Sequence, residues 1–382
     1  MRTIAFEKNR DAAEKTEANT VLSRKNDGNK PDERFLRYQM QAAAKHILPR
    51  HRVGICLRHQ IEAYGGVDLF KHRQTQRAFY GGLMVCSSVW VCPVCAAKIS
   101  ERRRQELKTA FKAHLDAGGH CTMVTLTFSH SPKDKLHDLL VALGKAVQDF
   151  SRGGRDRAFR AEIGLVGKIR AFEITYGVNG WHPHIHLLLM HSNEIEPWEW
   201  HGMEDKLYNM WSGACAKNGL GTSREHGLRM HDAAEASTYI GKWGDLMDKR
   251  WGTDSEMTKA NIKKGRGESM TPFDMLRVII EDGDLEYEGK YQEYAKATKG
   301  KQQLIWSPGL KARYLIEEKD DETIATEKVE EADLLGTLDW QDWRYILRNN
   351  LRYNLLKEIE EHGYETGLLN IGINKKFTEI NQ

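Results

Sequence analysis

The sequence predicts an α+β protein. A central antiparallel sheet has helices on one face, with an N-terminal zinc-binding element and a helical C-terminal region. Three observations carry this. The apolar run Ile185 to Met190 follows the alternating stretch Lys168 to Tyr176 across Asn179-Gly180, a strong two-residue hairpin signal. Thr122 to Ser129 alternates β-branched and apolar residues as a strand does. Four of the six cysteines, Cys56, Cys86, Cys92 and Cys95, cluster early in the chain.

A chain of 382 residues, 40% of them hydrophobic, is long enough for two or three domains with real cores. A net charge of +3 permits a nucleic-acid partner without demanding one. No run approaches membrane-spanning length and no apolar segment follows Met1, so a soluble, cytoplasmic protein without a membrane partner is expected. Six cysteines in a chain of this size do not suggest a disulfide framework.

Residues 1–32 are polar and read as a tail with no packed core. Asp32 to Ile47 reads as a helix with Phe35, Tyr38, Ala42 and Ile47 in one stripe. Cys92-Pro93-Val94-Cys95 is the tight knuckle of a zinc ribbon, and with Cys56 and Cys86 supplies four thiolates for a structural Zn²⁺. The first half of that set is split rather than a second tight pair. His59, in a Cys-x-x-His arrangement with Cys56, could replace one thiolate; free buried cysteines are the plain alternative. Cys121 and Cys215 read as core residues.

A long helix follows from Ala96 to Ala117. Its Arg102, Arg103 and Arg104 are either a solvated face or contacts to a DNA backbone. Asp134 to Phe150 has Leu136, Leu139, Leu140, Leu143 and Val147 at helical spacing. Ser151 to Arg160 reads as a flexible basic loop, with Arg152 and Arg155 candidate DNA contacts. Trp198 to Lys217 is a further helix, with Trp200, Leu207, Met210 and Trp211 as core candidates.

On the strand after the hairpin, His184 and His186 share one face, because successive strand side chains alternate. If residue 178 pairs with 181, Glu173 lies opposite His186 and Thr175 opposite His184. Two imidazoles and a carboxylate then form a three-ligand metal site with open positions. Histidines satisfied by ordinary hydrogen bonds are the rival reading, and a slip of one residue would send Glu173 to the other face.

His231 to Trp243 is helix-like, begun by Asp232 as N-cap. Glu235, Tyr239 and Lys242 lie along one face of it. Glu235 could instead complete a capping box, and Tyr239 could serve packing.

Together these pieces resemble a family. The strand Val124-Thr125-Leu126-Thr127 comes first, then His182-Pro-His-Ile-His186, then Tyr239-Ile-Gly-Lys242. Cys86-Ser-Ser-Val-Trp-Val-Cys-Pro-Val-Cys95 before an Arg-rich helix and Trp306-Ser307-Pro308-Gly309-Leu310 also match. The order is similar to that of the HUH endonucleases, and more narrowly of the single-tyrosine rolling-circle plasmid replication initiators; relaxases place the tyrosine before the histidine pair. The resemblance implies nicking and joining of origin DNA. Tyr239 would attack the scissile phosphate and leave a 5′-phosphotyrosine. Mg²⁺ or Mn²⁺ would sit on Glu173, His184 and His186, Lys242 would stabilise charge, and Glu235 would act as base in termination. It implies double-strand-origin and single-stranded DNA, a host helicase and a polymerase as partners, in the cytoplasm of a bacterium. Two other readings are a transposase of the same chemistry and a non-enzymatic zinc-ribbon DNA-binding regulator.

Beyond Trp243, Thr271 to Glu281 and Leu285 to Thr298 look helical, Asp320 to Asp333 is acidic, and Trp340 to Glu361 reads as one amphipathic helix. The expected division is a tail at 1–32, a zinc-binding element with a basic helix at 33–117 and a catalytic domain at 118–250. The rest of the replication region follows at 251–317, and a helical accessory region at 318–382.

Overall fold

The computed structural model describes residues 32–242, 269–327 and 331–374. Residues 1–31 of the expected tail lie outside them. In chain order the elements begin with α1 (Glu33–Ile47), β1 (Val67–His72), β2 (Ala78–Gly81), α2 (Pro93–Asp116), β3 (His120–Leu126), α3 (Leu136–Phe150) and α4 (Gly153–Glu162). There follow β4 (Leu165–Gly177), β5 (Gly180–His191), α5 (Trp200–Lys217), β6 (Leu228–His231), α6 (Ala233–Lys242), α7 (Pro272–Asp282) and α8 (Glu286–Ala297). The chain continues through β7 (Leu304–Trp306), α9 (Leu310–Arg313), α10 (Asp321–Thr326), β8 (Ala332–Leu338), α11 (Trp340–Arg348), α12 (Arg352–His362) and α13 (Tyr364–Asn370). The α+β class, with antiparallel sheets flanked by helices, is as the sequence predicts.

The chain divides into two compact units, Met1–Ala96 with Asp321–Gln382, and Ala97–Asp320. Most of the stretch read as an accessory region, residues 321–374, supplies β8 and its helices to the same unit as the cysteine cluster.

In the Ala97–Asp320 unit five antiparallel strands lie in the order β6-β3-β5-β4-β7. One face carries Met123, Ala171, Leu188 and Met190, which pack with Leu107 and Phe111 of α2 and Ala236 and Ile240 of α6. The opposite face is buried as well, through Val124, Leu126, Ile185, Leu187 and Leu189. Helices on one face alone were expected; a sheet apolar on both sides has to be covered on both. Ser307 clamps the β4 side of the sheet's edge, its hydroxyl accepting from the Lys168 N–H at 2.9 Å and donating to the Lys168 carbonyl at 3.0 Å. This gives the Trp306-Ser307-Pro308-Gly309-Leu310 stretch a structural role at the β7 edge.

The loop expected over Ser151 to Arg160 is the helix α4. Phe159 is buried there and Asp156 pairs with Arg160 at 2.8 Å, an i,i+4 contact that supports a helix. Its two glycines sit in the first turn, where they cost least.

In the other unit β2-β1-β8 form an antiparallel sheet. Its core joins Tyr38 of α1, Val67 and Leu69 of β1, Trp343 and Ile346 of α11, and Leu355, Leu356 and Ile359 of α12. The single helix expected from Trp340 to Glu361 is broken. Asn350 takes a left-handed φ of 53° between α11 and α12, a conformation asparagine tolerates and a helix does not. The stripe of α1 also falls differently, on Leu36, Tyr38, Met40, Gln41, Ala44 and Ile47.

Candidate active site

The β4–β5 hairpin builds the site. Its turn differs from the expected one: Gly177 pairs with Gly180, so Val178 and Asn179 are the central residues. Gly180 adopts φ +81°, whereas Val178 and Asn179 do not share the left-handed conformation. A left-handed residue at the end of the turn is a conformation that glycine fills readily. A Cβ at Gly180 would also meet the Pro132 Cα and the Ser131 oxygen at 2.8 Å.

The consequence is a pairing displaced by two residues. Glu173 faces His184 rather than His186, Thr175 faces His182, and Ala171 faces His186. A shift of two preserves the alternation, so the carboxylate and both imidazoles still share a face.

There the Glu173 Oε2 lies 3.4 Å from the His184 Nε2 and 3.4 Å from the His186 Nε2. One ligand atom from each of the three lies within 4.8 Å of the others. Burial works against the Glu173 charge, but hydrogen bonds to His184 and His186 outweigh it and hold the carboxyl well below the usual carboxylate range. Burial also lowers the His186 pKa. A carboxylate held ionised beside two imidazoles is the donor set a divalent cation binds, so these residues fit a metal.

Their surroundings orient the rings. The His184 Nδ1 faces the His182 carbonyl at 3.3 Å, and the His186 Nδ1 faces the Thr125 Oγ1 at 3.0 Å. Both leave Nε2 turned to the centre. His182 itself pairs with His130, Nδ1 to Nε2 at 2.7 Å. Its pKa falls to about 4, through burial first and then the neighbouring His184 and His130.

The pocket around these groups has a volume of about 550 Å³ and is lined by Glu173, His184, His186, His231, Ala234, Glu235, Thr238 and Tyr239. Helix α6 forms one wall, and Tyr239 sets its ring 4.4 Å from that of His186, centroid to centroid, tilted by 41°. Burial pushes the Tyr239 phenol well above its usual range, and the Glu173 carboxylate adds to this. Asp232 caps α6 by accepting from the Glu235 N–H at 2.9 Å. The Glu235 carboxylate instead accepts from the His231 Nδ1 at 2.8 Å, so it does not close the capping box. Lys242 ends α6, and its side chain lies outside the described residues.

The cysteine cluster is a second centre. The Sγ atoms of Cys56 and Cys95 are 3.5 Å apart, Cys86 and Cys95 3.7 Å, and Cys92 and Cys56 3.7 Å. Four sulfurs about 2.3 Å from one zinc would be about 3.8 Å apart at tetrahedral angles. The buried group of four cysteines could therefore hold a metal such as zinc, and His59 is not part of it. Burial resists ionisation of Cys92, but hydrogen bonds from Cys56, Cys86 and Cys95 bring its thiol well below the usual range. Cys121 and Cys215 stand apart as buried core residues, their thiols pushed up to about 12 by burial.

Behind Cys92, Gln41 donates to its sulfur at 3.4 Å and accepts from the Arg352 Nη1 at 2.8 Å. Arg352 is 1% exposed and lies 4.6 Å over the Tyr38 ring. A buried cation one side chain from the cluster suits a centre that is anionic when four thiolates surround a divalent ion. No spacing rule pointed to Gln41 or Arg352.

The expected DNA-contacting arginines divide. Arg103 is held by Glu106 at 3.0 Å and by the Lys319 carbonyl at 2.8 Å, Arg104 by Glu101 at 2.5 Å, and Arg102 approaches Glu106 at 3.8 Å. Glu106 also takes the buried Lys311 at 2.9 Å. That part of α2 is an internal ion-pair network. Arg152 and Arg155 are exposed at the start of α4.

Residues 83–218 match the model of a replication protein family. A protein from Streptomyces lividans named "Protein rep" is 29% identical over 307 residues, 63% of this chain and 66% of that one. A "Neomycin resistance protein" from Streptomyces cyanogenus is 32% identical over 140 residues, 30% of this chain and 32% of that one. The chain thus spans less than two thirds of either relative. No solved structure matches. The family segment holds Cys86, Cys92, Cys95, Glu173, His184 and His186, and ends before α6. Among the described residues no helix is long and apolar enough to cross a membrane.

Proposed function

We propose that the protein initiates rolling-circle replication of a plasmid by nicking and rejoining origin DNA through a 5′-phosphotyrosine intermediate. The observation that carries this is the meeting of Tyr239 with the Glu173, His184 and His186 group in one pocket.

A bound Mg²⁺ or Mn²⁺ would withdraw charge from the phosphate oxygens and align them. Glu173, His184 and His186 would hold it. The Tyr239 oxygen then bonds to phosphorus as the bond to the 3′ oxygen breaks, and the phenol proton passes on balance to that 3′ oxygen. Because burial and Glu173 keep the phenol protonated, the nucleophile is silent until positive charge enters the site. Lys242, at the end of the same helix, would add to that charge. Glu235 serves the closing step, taking a proton from the water that releases the tyrosine. The four-cysteine unit holds structural zinc, exposed Arg152 and Arg155 meet the DNA backbone, and Arg102, Arg103 and Arg104 steady α2. A host helicase and polymerase would extend the 3′ end, in the bacterial cytoplasm.

The test is to incubate purified protein and Mn²⁺ with a supercoiled plasmid carrying its origin. Relaxed, singly nicked DNA is expected. Origin binding without nicking would instead favour the non-enzymatic regulator.

A further inference from the structure

A continuous line of hydrogen bonds links the two chemical ends of the pocket. The Glu235 Oε2 meets the His231 Nδ1 at 2.8 Å, the His231 Nε2 meets the Thr125 Oγ1 at 3.2 Å, and the Thr125 Oγ1 meets the His186 Nδ1 at 3.0 Å. β3, β5 and β6 are adjacent in the sheet, with Thr125 opposite His186 and Met123 opposite His231, and α6 starts directly after β6. The backbone register thus sets the whole line.

The direction of donation follows from chemistry. A carboxylate only accepts, so the His231 Nδ1 carries hydrogen. A neutral imidazole then offers a lone pair at Nε2, which accepts from the Thr125 hydroxyl. The hydroxyl oxygen in turn accepts from the His186 Nδ1–H. The His186 Nε2 is left with its lone pair toward the Glu173 Oε2, 3.4 Å away. The reverse direction would set an imidazole lone pair against the Glu235 carboxylate; the first sets one toward Glu173, which a cation held between His186 and Glu173 would accept, so a bound metal together with Glu235 selects the first.

We propose that Glu235, His231 and Thr125 form a relay that fixes His186 in the tautomer a metal requires, making Thr125 and His231 positioning residues of the nicking site. The proposal rests on the metal reading given above. It gives the Thr-rich strand β3 a chemical task, and it couples the terminating carboxylate to the cation site it shares. Partners that orient a ligand histidine typically govern metal affinity by about 10- to 100-fold.

The experiment measures Mn²⁺ affinity of the full chain without DNA, by the electron paramagnetic resonance of free Mn²⁺. Thr125→Val keeps the shape and loses the hydroxyl; Thr125→Ser keeps the hydroxyl; His231→Phe cuts the line one step further on. Thr125→Val and His231→Phe should each weaken Mn²⁺ binding by about 10- to 100-fold, with Thr125→Ser close to wild type and melting temperatures alike. Wild-type affinity in Thr125→Val would overturn the relay while leaving the metal site standing. Equal loss in Thr125→Ser and Thr125→Val would also overturn it, by showing that the strand and not the hydroxyl matters. A wild-type protein that takes up no Mn²⁺ is a separate result, and it would overturn the metal reading together with the relay.

Discussion

Tyr239 and His186 lie ring against ring at 4.4 Å, bringing a helix that begins beside β6 onto the histidine strand at the sheet's centre. The phenol thereby shares a wall with a group that can hold a cation. Its own burial and the nearby Glu173 keep it protonated.

The three-ligand group should behave as a unit. His184→Ala and His186→Ala should each lower Mn²⁺-dependent nicking by roughly 10² or more while the sheet stays folded. Glu173→Ala should weaken Mn²⁺ binding in a calorimetric titration. Unchanged affinity in Glu173→Ala would take the carboxylate out of the site, although its oxygen lies 3.4 Å from both imidazoles.

Glu235 separates two roles. Glu235→Gln can turn its amide oxygen to the His231 Nδ1 and keep the relay, but it can no longer accept a proton as a base. Initial nicking should be normal, with replicated plasmid multimers accumulating on a gel. A lower melting temperature with monomeric products only would reduce Glu235 to a support for α6.

The two active-site strands were legible because alternation and a turn signal are local. Glu173, His184 and His186 followed from parity, and parity survived a pairing displaced by two residues. The exact turn was not legible, since Asn179-Gly180 suits a two-residue turn centred on those residues as well as one centred on Val178 and Asn179 that ends at a left-handed Gly180. The relay was hidden for a different reason. Thr125 and His231 are 106 residues apart, and only the strand order joins them. Arg352 was harder still, because it reaches the cysteine cluster through Gln41 across 311 residues.

Zinc should stabilise both ends of its unit. Cys92→Ser should release about one zinc per chain and destabilise the fold by several kcal/mol or more, since structural zinc contributes folding energy directly. Limited proteolysis should then cut residues 331–374 as well as 33–96, because β8 pairs with β1 and Arg352 reaches Gln41. Cutting confined to 33–96 would show that the C-terminal segment folds on its own.

His191 provides a pH dependence away from the metal ligands. It is 1% exposed; the Thr122 Oγ1 lies 3.0 Å from its Nε2 and the Asn193 carbonyl 2.8 Å from its Nδ1. Burial lowers its pKa below the ordinary value of about 6.5. The unfolded chain therefore binds a proton that the folded one resists. The stability His191 contributes is present above about pH 6.5 and is lost as pH falls toward its folded value. The melting-temperature gap between wild type and His191→Gln should narrow from pH 7 to pH 5. A constant gap would show that His191 accepts a proton in the folded state as readily as in the unfolded one.

The most direct measurement is to trap the protein on nicked origin DNA with Mn²⁺, digest it, and locate the modified residue by mass spectrometry. A 5′-phosphotyrosine at Tyr239 is predicted, with nicking by Tyr239→Phe reduced by roughly 10³ or more and DNA binding retained. An adduct on another residue, or a nick with no covalent adduct, would contradict the account.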